Sequence, residues 1–145
     1  AILLLGLRAY STAELKKKLY AKEYSTAEIS QVIQECTRHG FLNDEHYAEN
    51  LAAAVYARGG GKRKAIQKLR TKGIDSELIK ETLAEKEDGN VMTELEAAAG
   101  ALSRKASAFA REPDPRKRRE KALRFLAGRG FSAQVAYEAL RKLAM

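Results

Sequence analysis

The sequence predicts an all-α protein of three tandem three-helix repeats, nine helices in an elongated or curved array. Three observations carry this. No segment alternates apolar and polar residues with the period of two that a half-buried strand requires. Helix starts recur along the chain as capping signals of one kind. Residues 19–33, 69–83 and 126–140 also match position by position, at offsets of 50 and then 57 residues.

Each matching stretch opens with Leu and places a base three residues on (Lys22, Lys72, Arg129). A small or polar residue follows (Glu23, Gly73, Gly130), then an apolar one (Tyr24, Ile74, Phe131), then a cap (Ser25, Asp75, Ser132). Each closes on an aliphatic residue, Ile33, Leu83 or Leu140. The first offset also pairs Leu5 with Val55 and Arg8 with Arg58. This places the units at 1–42, 43–89 and 90–145. Units that contact mainly their neighbours distribute the core and expose an extended surface, a shape suited to binding along a large partner.

In chain order the expected helices span 1–9, 11–22, 26–39, 44–58, 62–72, 76–87, 91–110, 115–128 and 133–144. Ser11 with Glu14 forms a capping box, and Tyr10 with Leu15 the hydrophobic staple around it. Ser25 with Glu28 repeats the device, stapled by Tyr24 and Ile29. Asn43 caps the fourth helix, with Leu42 and Tyr47 as its staple. Asp75 caps the sixth, with Ile74 and Ile79. Ser132 caps the last, with Phe131 and Ala136. Glycine stops the fifth helix at Gly73. Leu15, Ile66 and Leu69 are core positions. The longest break surrounds Pro113 and Pro115.

Composition narrows the function. Hydrophobic residues make up 45% of the 145-residue chain with two prolines and no Trp, so the core is built of Leu, Ala, Ile and Val. Against 19 acidic residues stand 27 basic ones, a net charge of +8, which favours an anionic partner: nucleic acid or an acidic protein surface. Cys36 is the only cysteine, so an intrachain disulfide is impossible and a reducing, cytoplasmic setting fits. Its apolar-periodic helix marks it as a small buried hydrophobe. No apolar run reaches the roughly 18 residues of a membrane span, and residues 2–5 lack the flanks of a signal peptide. The chain begins at Ala1 without Met, which leaves room for residues upstream.

Residues 58–74 organise the charge. They hold seven bases and no acid: Arg58, Lys62, Arg63, Lys64, Lys68, Arg70 and Lys72. At 100° per residue, Ala65, Ile66 and Leu69 share the core face, while Lys64, Gln67, Lys68 and Thr71 point away and Arg63 and Arg70 flank one side. Lysines four apart repel, at a few tenths of a kcal/mol per pair, so a merely solubilising face would mix signs. Arg116, Lys117, Arg118, Arg119, Lys121 and Arg124 form a second cluster, and Lys16, Lys17 and Lys18 a third. One cluster falls on the same helix of each unit, so the three could form a track. Acids gather at Asp75, Glu77, Glu81, Glu85, Glu87 and Asp88.

Catalytic chemistry finds no foothold. Gly59-Gly60-Gly61-Lys62 looks like a phosphate-binding loop, but Arg63 stands where a Mg²⁺-ligating Ser or Thr is needed, and a helix rather than a strand precedes it. His39 and His46 lack metal-ligand spacing, and His39 suits the negative end of a helix. The expectation is a non-enzyme with no cofactor and no metal.

The run Gly40-Phe41-Leu42-Asn43-Asp44-Glu45-His46-Tyr47-Ala48, then Arg58-Gly59-Gly60-Gly61, then Ile66, Leu69 and Lys72-Gly73-Ile74, resembles the RecX family, bacterial regulators of the recombinase RecA. Tyr10-Ser11-Thr12-Ala13-Glu14-Leu15 with Lys18-Leu19 matches that family's first unit. Arg124-Phe125-Leu126 with Arg129-Gly130-Phe131-Ser132 matches its third. Two positions depart: Gly60, where the family often has Tyr, and Val91, where an aromatic is common. The resemblance implies tandem three-helix repeats, binding to RecA–DNA filaments, and inhibition of strand exchange and of RecA's ATP hydrolysis. On that reading Lys62, Arg63, Lys64, Lys68 and Arg70 carry a central contact, and Arg116, Lys117, Arg118 and Arg119 a distal one. The expected species is a monomer with weak, nonspecific affinity for single- and double-stranded DNA. The competing expectations are a sequence-nonspecific nucleic-acid-binding helical protein and a peptide-binding repeat scaffold. Against base-specific reading, no helix gathers the Arg, Asn and Gln needed for base edges.

Overall fold

A computed structural model describes residues 9–88 and 93–143, the side chains of 85–88 excepted. The expected helix over 1–9, Leu5, Arg8, Val91, and the side chains of Glu85, Glu87 and Asp88 lie outside the described residues. Within them are nine helices and no strand: α1 Thr12–Ala21, α2 Thr26–Arg38, α3 Asp44–Ala57, α4 Lys62–Thr71, α5 Ser76–Asp88, α6 Glu94–Arg104, α7 Ala106–Ala110, α8 Pro115–Gly128 and α9 Ala133–Lys142.

The capping chemistry sets the starts. Both boxes close: Ser11 and Ser25 each accept from the backbone N–H of Glu14 and Glu28, whose carboxylates accept from the serine N–H in return. Asn43 caps α3 through the His46 N–H at 3.0 Å, Asp75 accepts from the Glu77 N–H at 3.2 Å, and Ser132 accepts from the Val135 N–H at 3.3 Å. Thr93 and Asp114 cap α6 and α8 in the same way. One expected element divides. The span 91–110 breaks at Lys105 into α6 and α7, which turns Phe109 onto the Phe125 ring, edge-on at 5.7 Å between centroids. Neither Gly nor Pro stands at the break.

Two apolar clusters form. Leu15, Leu19, Ile29, Cys36 and Leu42 close the first unit's core, with Cys36 buried. A larger cluster runs without interruption from Ala48 and Tyr56, through Leu69, Leu83, Ala98 and Leu102, to Leu126 and Leu140. The second and third units therefore share one core, to which α3 and α6 contribute buried alanines.

The units join by one device used twice. The turn after the second helix of a unit receives the N-terminus of the second helix of the unit before it. At the first joint, the Ser11 hydroxyl donates to the Lys72 carbonyl at 2.6 Å, and Ala13 sits against Gly73. At the second, the Gly61 N–H donates to the Arg129 carbonyl at 2.8 Å and the Arg63 N–H to the Gly130 carbonyl at 3.1 Å. A Cβ on Gly61 would lie 2.5 Å from the Gly130 oxygen, and one on Gly130 would lie 2.7 Å from the Lys64 nitrogen. Gly130 also holds φ +93, the left-handed region.

The first joint is reinforced by polar groups rather than by a shared core. Asp44 accepts from the Thr12 N–H at 2.8 Å and from its hydroxyl at 3.1 Å. Glu14 accepts from the Tyr47 hydroxyl at 2.9 Å and pairs with Lys72 at 3.3 Å. Burial alone would raise the Glu14 carboxyl, but hydrogen bonds from the Ser11 N–H, Tyr47 and Lys72 outweigh it and hold the group below its ordinary 4.5.

Two outcomes follow from the joints. Gly130→Ala should lower the urea-unfolding free energy by more than about 2 kcal/mol through the φ and the contact together. Gly128→Ala, whose Cβ meets nothing within 4 Å, should be neutral or stabilising by up to about 1 kcal/mol. Because the Glu14 pKa is depressed on folding, its contribution is complete above the ordinary value and is lost as pH falls through the lowered one. Thermal unfolding from pH 6 down to pH 3 should therefore show a decline that is shallower in Glu14→Gln.

Candidate partner-binding face

Helix α4 carries the central basic stretch. Ala65 and Leu69 are wholly buried and Ile66 is half-buried. The outward positions are Arg63, Gln67, Arg70 and Thr71, whereas Lys62, Lys64 and Lys68 are half-buried. The sequence had placed Lys64 and Lys68 outward and Arg63 and Arg70 at the flank. The face is rotated because the turn at Gly130 lies against the Lys64 backbone, which tucks the start of that side chain into the joint.

Arg63, Gln67 and Arg70 form a stripe at helical spacing, the two guanidinium-bearing residues about 10 Å apart along the axis. With Lys64, Ile66 and Thr71 they form one wall of an open groove of about 730 Å³; Ala127, Gly128 and Gly130 form the other. No acid lines it. The groove thus offers cations over an apolar floor to an anionic partner.

These cations stand where local energetics disfavour them. Gly61 caps α4 without a side-chain hydrogen bond, and Lys62, Arg63 and Lys64 fill a first turn that contains no acid. Positive charge at the positive end of a helix macrodipole costs roughly 0.3–1 kcal/mol per residue. The start of α8 also carries Arg116, Lys117 and Arg118 with no acid in the first turn, but there the Asp114 carboxylate caps the helix through the Arg116 N–H at 3.0 Å and offsets part of the charge. Arg63 on α4 stands against the local electrostatic rule, and positions that break a local rule are where function is expected.

The other sequence-selected bases fall in different places. Lys72 caps α4 and reaches Glu14, so it belongs to the first joint. Arg118 donates through Nε and Nη2 to the Glu112 carbonyl at 3.2 and 3.0 Å, clamping the turn before α8. Lys121 pairs with the Glu112 carboxylate at 2.9 Å; this bond, with one from the Asp114 N–H, lowers the Glu112 pKa. Arg116 is exposed beside Glu120 at 3.7 Å. Lys117 and Arg119 are exposed on α8.

Arg58 belongs to a cluster that sequence spacing does not reveal. With Arg104, Lys105 and Arg129 it surrounds a small recess of about 160 Å³ floored by Ala101 and Phe125. Arg129 donates to the Arg58 carbonyl at 3.4 Å and stacks over the Phe125 ring at 5.1 Å; Arg104 donates to the Gly100 carbonyl at 3.3 Å. The ends of α3, α6 and α8 meet here, so the cations satisfy three negative helix termini at once. Among the described residues no group of three or more His, Cys, Asp or Glu could hold a metal ion, and no helix is long and apolar enough to cross a membrane.

Comparison with known proteins adds an independent line. Residues 1–36, 43–83 and 93–140 match the family models for the first, second and third three-helix domains of RecX. The chain is 34% identical to "Regulatory protein RecX" of Trichlorobacter lovleyi over 98% of its own length and 92% of that protein's. It is 36% identical to the protein of the same name from Pelodictyon phaeoclathratiforme, over 100% and 87%, and 33% identical to that from Legionella pneumophila, over 99% and 91%. Among solved structures, the crystal structure of RecX from Lactobacillus salivarius superposes with a TM-score of 0.87 at 20% identity, covering 99% of this chain and 91% of that one. A second, the crystal structure of regulatory protein RecX, gives 0.76 at 21%, covering 97% and 68%. At these identities the structures speak for the fold.

The misplaced charges give a test that separates structure from binding. Arg63→Glu should leave stability unchanged or raise it by about 0.3–1 kcal/mol in urea denaturation, because it restores an acid to the first turn of α4. The same substitution should weaken retention on a polyanion column.

Proposed function

The chain belongs to the RecX family of regulatory proteins, and we propose that it regulates RecA negatively by binding RecA–DNA filaments. In this reading it lies along the filament groove and hinders subunit addition or rearrangement. Filament growth, ATP hydrolysis and strand exchange are inhibited, with consequences for recombination, repair and the SOS response. The three units, 1–42, 43–89 and 90–145, act as one monomeric cytoplasmic molecule; the three family matches fall inside these bounds.

The single observation that carries this is the acid-free α4 groove, with cations retained at the helix end where they cost stability. Arg63 and Arg70 lead the central contact, with Lys62, Lys64 and Lys68 reaching from beside them. Arg116, Lys117 and Arg119 form the distal contact on α8, while Arg118 and Lys72 hold the scaffold. The partner presents carboxylates or phosphates, and DNA contact is weak and independent of sequence.

The second reading is a sequence-nonspecific nucleic-acid-binding protein, favoured by the exposed bases on α8. One titration distinguishes the two. The chain is added to RecA filaments preassembled on single-stranded DNA near physiological salt, ATP hydrolysis is followed, and a helical protein of equal charge serves as control. Inhibition well below one copy per RecA subunit, absent with the control and weakened about ten-fold or more by Arg63→Glu with Arg70→Glu, is expected. Equal inhibition by the control, or an unaffected double variant, contradicts the assignment.

A further inference from the structure

The joint device occurs twice, but a turn of the receiving kind follows the second helix of all three units. In α1, α4 and α8 the helix ends with paired backbone bonds of one pattern. Glu23 and Tyr24 donate to the Tyr20 and Leu19 carbonyls, Gly73 and Ile74 to those of Arg70 and Leu69, and Gly130 and Phe131 to those of Ala127 and Leu126. The residue at the bend has positive φ each time: Glu23 at 68°, Gly73 at 77° and Gly130 at 93°. At the two glycines a preceding helix docks so closely that a Cβ would collide with Ala13 at Gly73 and would lie 2.7 Å from the Lys64 nitrogen at Gly130. Glu23 carries such a Cβ, so its turn is closed to a helix seated in that manner.

What surrounds this turn differs from the other two. Ile74 and Phe131, which follow the glycines, are 5% and 2% exposed. Tyr24, in the same place, is 48% exposed, and Tyr20 one turn earlier is 51% exposed. Lys16 and Lys17 lie one turn before Tyr20 on the same face, Lys22 sits between the two tyrosines, and all three are exposed. The patch sets flat aromatic faces beside three cations, with Glu23 at the bend as the acid next to Tyr24.

We propose that this end of the first unit binds single-stranded nucleic acid, with unpaired bases stacking on Tyr20 and Tyr24 and Lys16, Lys17 and Lys22 neutralising the phosphates. Aromatic stacking selects the single strand, because bases in a duplex already have their faces covered. The lysines alone would not discriminate. The contact extends the reading above to a separate unit of the array, and it is tested without RecA, so its failure leaves the groove assignment standing.

Tyr24→Trp supplies a chain that has no Trp with a single reporter at the site. Titration with an oligothymidylate of about 16 nucleotides should quench its emission saturably, and a duplex of equal phosphate number should quench it far less. Tyr20→Ala should raise the dissociation constant about ten-fold, read by anisotropy of a labelled oligonucleotide against the otherwise unchanged chain, with circular dichroism retained. Lys16→Gln with Lys17→Gln should lower the salt slope of binding by about 1.4. Equal quenching by duplex, no quenching, or an unaltered affinity in Tyr20→Ala overturns the proposal. Quenching by polyglutamate but not by the oligonucleotide overturns it in favour of an acidic protein surface.

Discussion

The structure depends on carbonyl oxygens at a helix end meeting the first turn of another helix. A helix terminus leaves backbone groups without intrahelical partners, and burying them unpaired is costly. Here the Lys72, Arg129 and Gly130 carbonyls, exposed by a left-handed bend, accept from Ser11, Gly61 and Arg63 at the start of the preceding unit's second helix. At the second joint two sets of orphan backbone groups satisfy each other, at the first a serine hydroxyl donates instead, and the geometry fixes how one unit sits on the next. Glycine at 61, 73 and 130 follows from the closeness of that approach.

The same contact explains how the acid-free first turn of α4 can be carried. The α4 N-terminus spends its amides on the Arg129–Gly130 turn and its apolar face on the shared core, so Ala65 and Leu69 anchor the helix despite a first turn of cations. Leu69 alone, if truncated in such a core, would be expected to cost about 2–5 kcal/mol, against about 0.9–3 kcal/mol for the dipole penalty of the three bases together. The helix can therefore present Arg63 and Arg70 to a partner without help from acidic neighbours. The two joints are not equivalent. The second is backed by a continuous apolar core, the first by Glu14, Asp44, Tyr47 and Lys72. The first unit is thus the one whose attachment responds most to charge and solvent.

Much of the fold was legible because its signals are local. Ser11 with Glu14 and Ser25 with Glu28 announce helix starts within four residues, and the Leu-base-turn-cap pattern repeats at fixed offsets. Leu15, Leu69 and Cys36 are buried as their periodicity requires. The break at Lys105 was not legible, since no Gly or Pro marks it and the Phe109–Phe125 contact that accompanies it joins two different helices. The basic stretch was visible, but its orientation was not. Helical phase alone cannot register the Gly130 turn against Lys64, and so it set Lys64 and Lys68 outward in place of Arg63 and Arg70. The Arg58, Arg104, Lys105 and Arg129 cluster was hidden for the same reason: its members come from three helix ends distant in sequence. Lys72 and Arg118 looked like binding residues by composition, and only their partners, Glu14 and the Glu112 carbonyl, reveal them as scaffold.

The central claim is that the α4 groove faces the RecA filament, and site-specific photocrosslinking tests it most directly. Gln67 lies exposed between Arg63 and Arg70, and Cys36 is buried, so Gln67→Cys in a Cys36→Ala background places one benzophenone label in the groove. Tyr137→Cys, exposed on α9, serves as the distant control. On RecA–single-stranded DNA filaments, the account predicts an adduct to RecA or to DNA from position 67 and little from position 137. Adducts from 137 with none from 67 would contradict it.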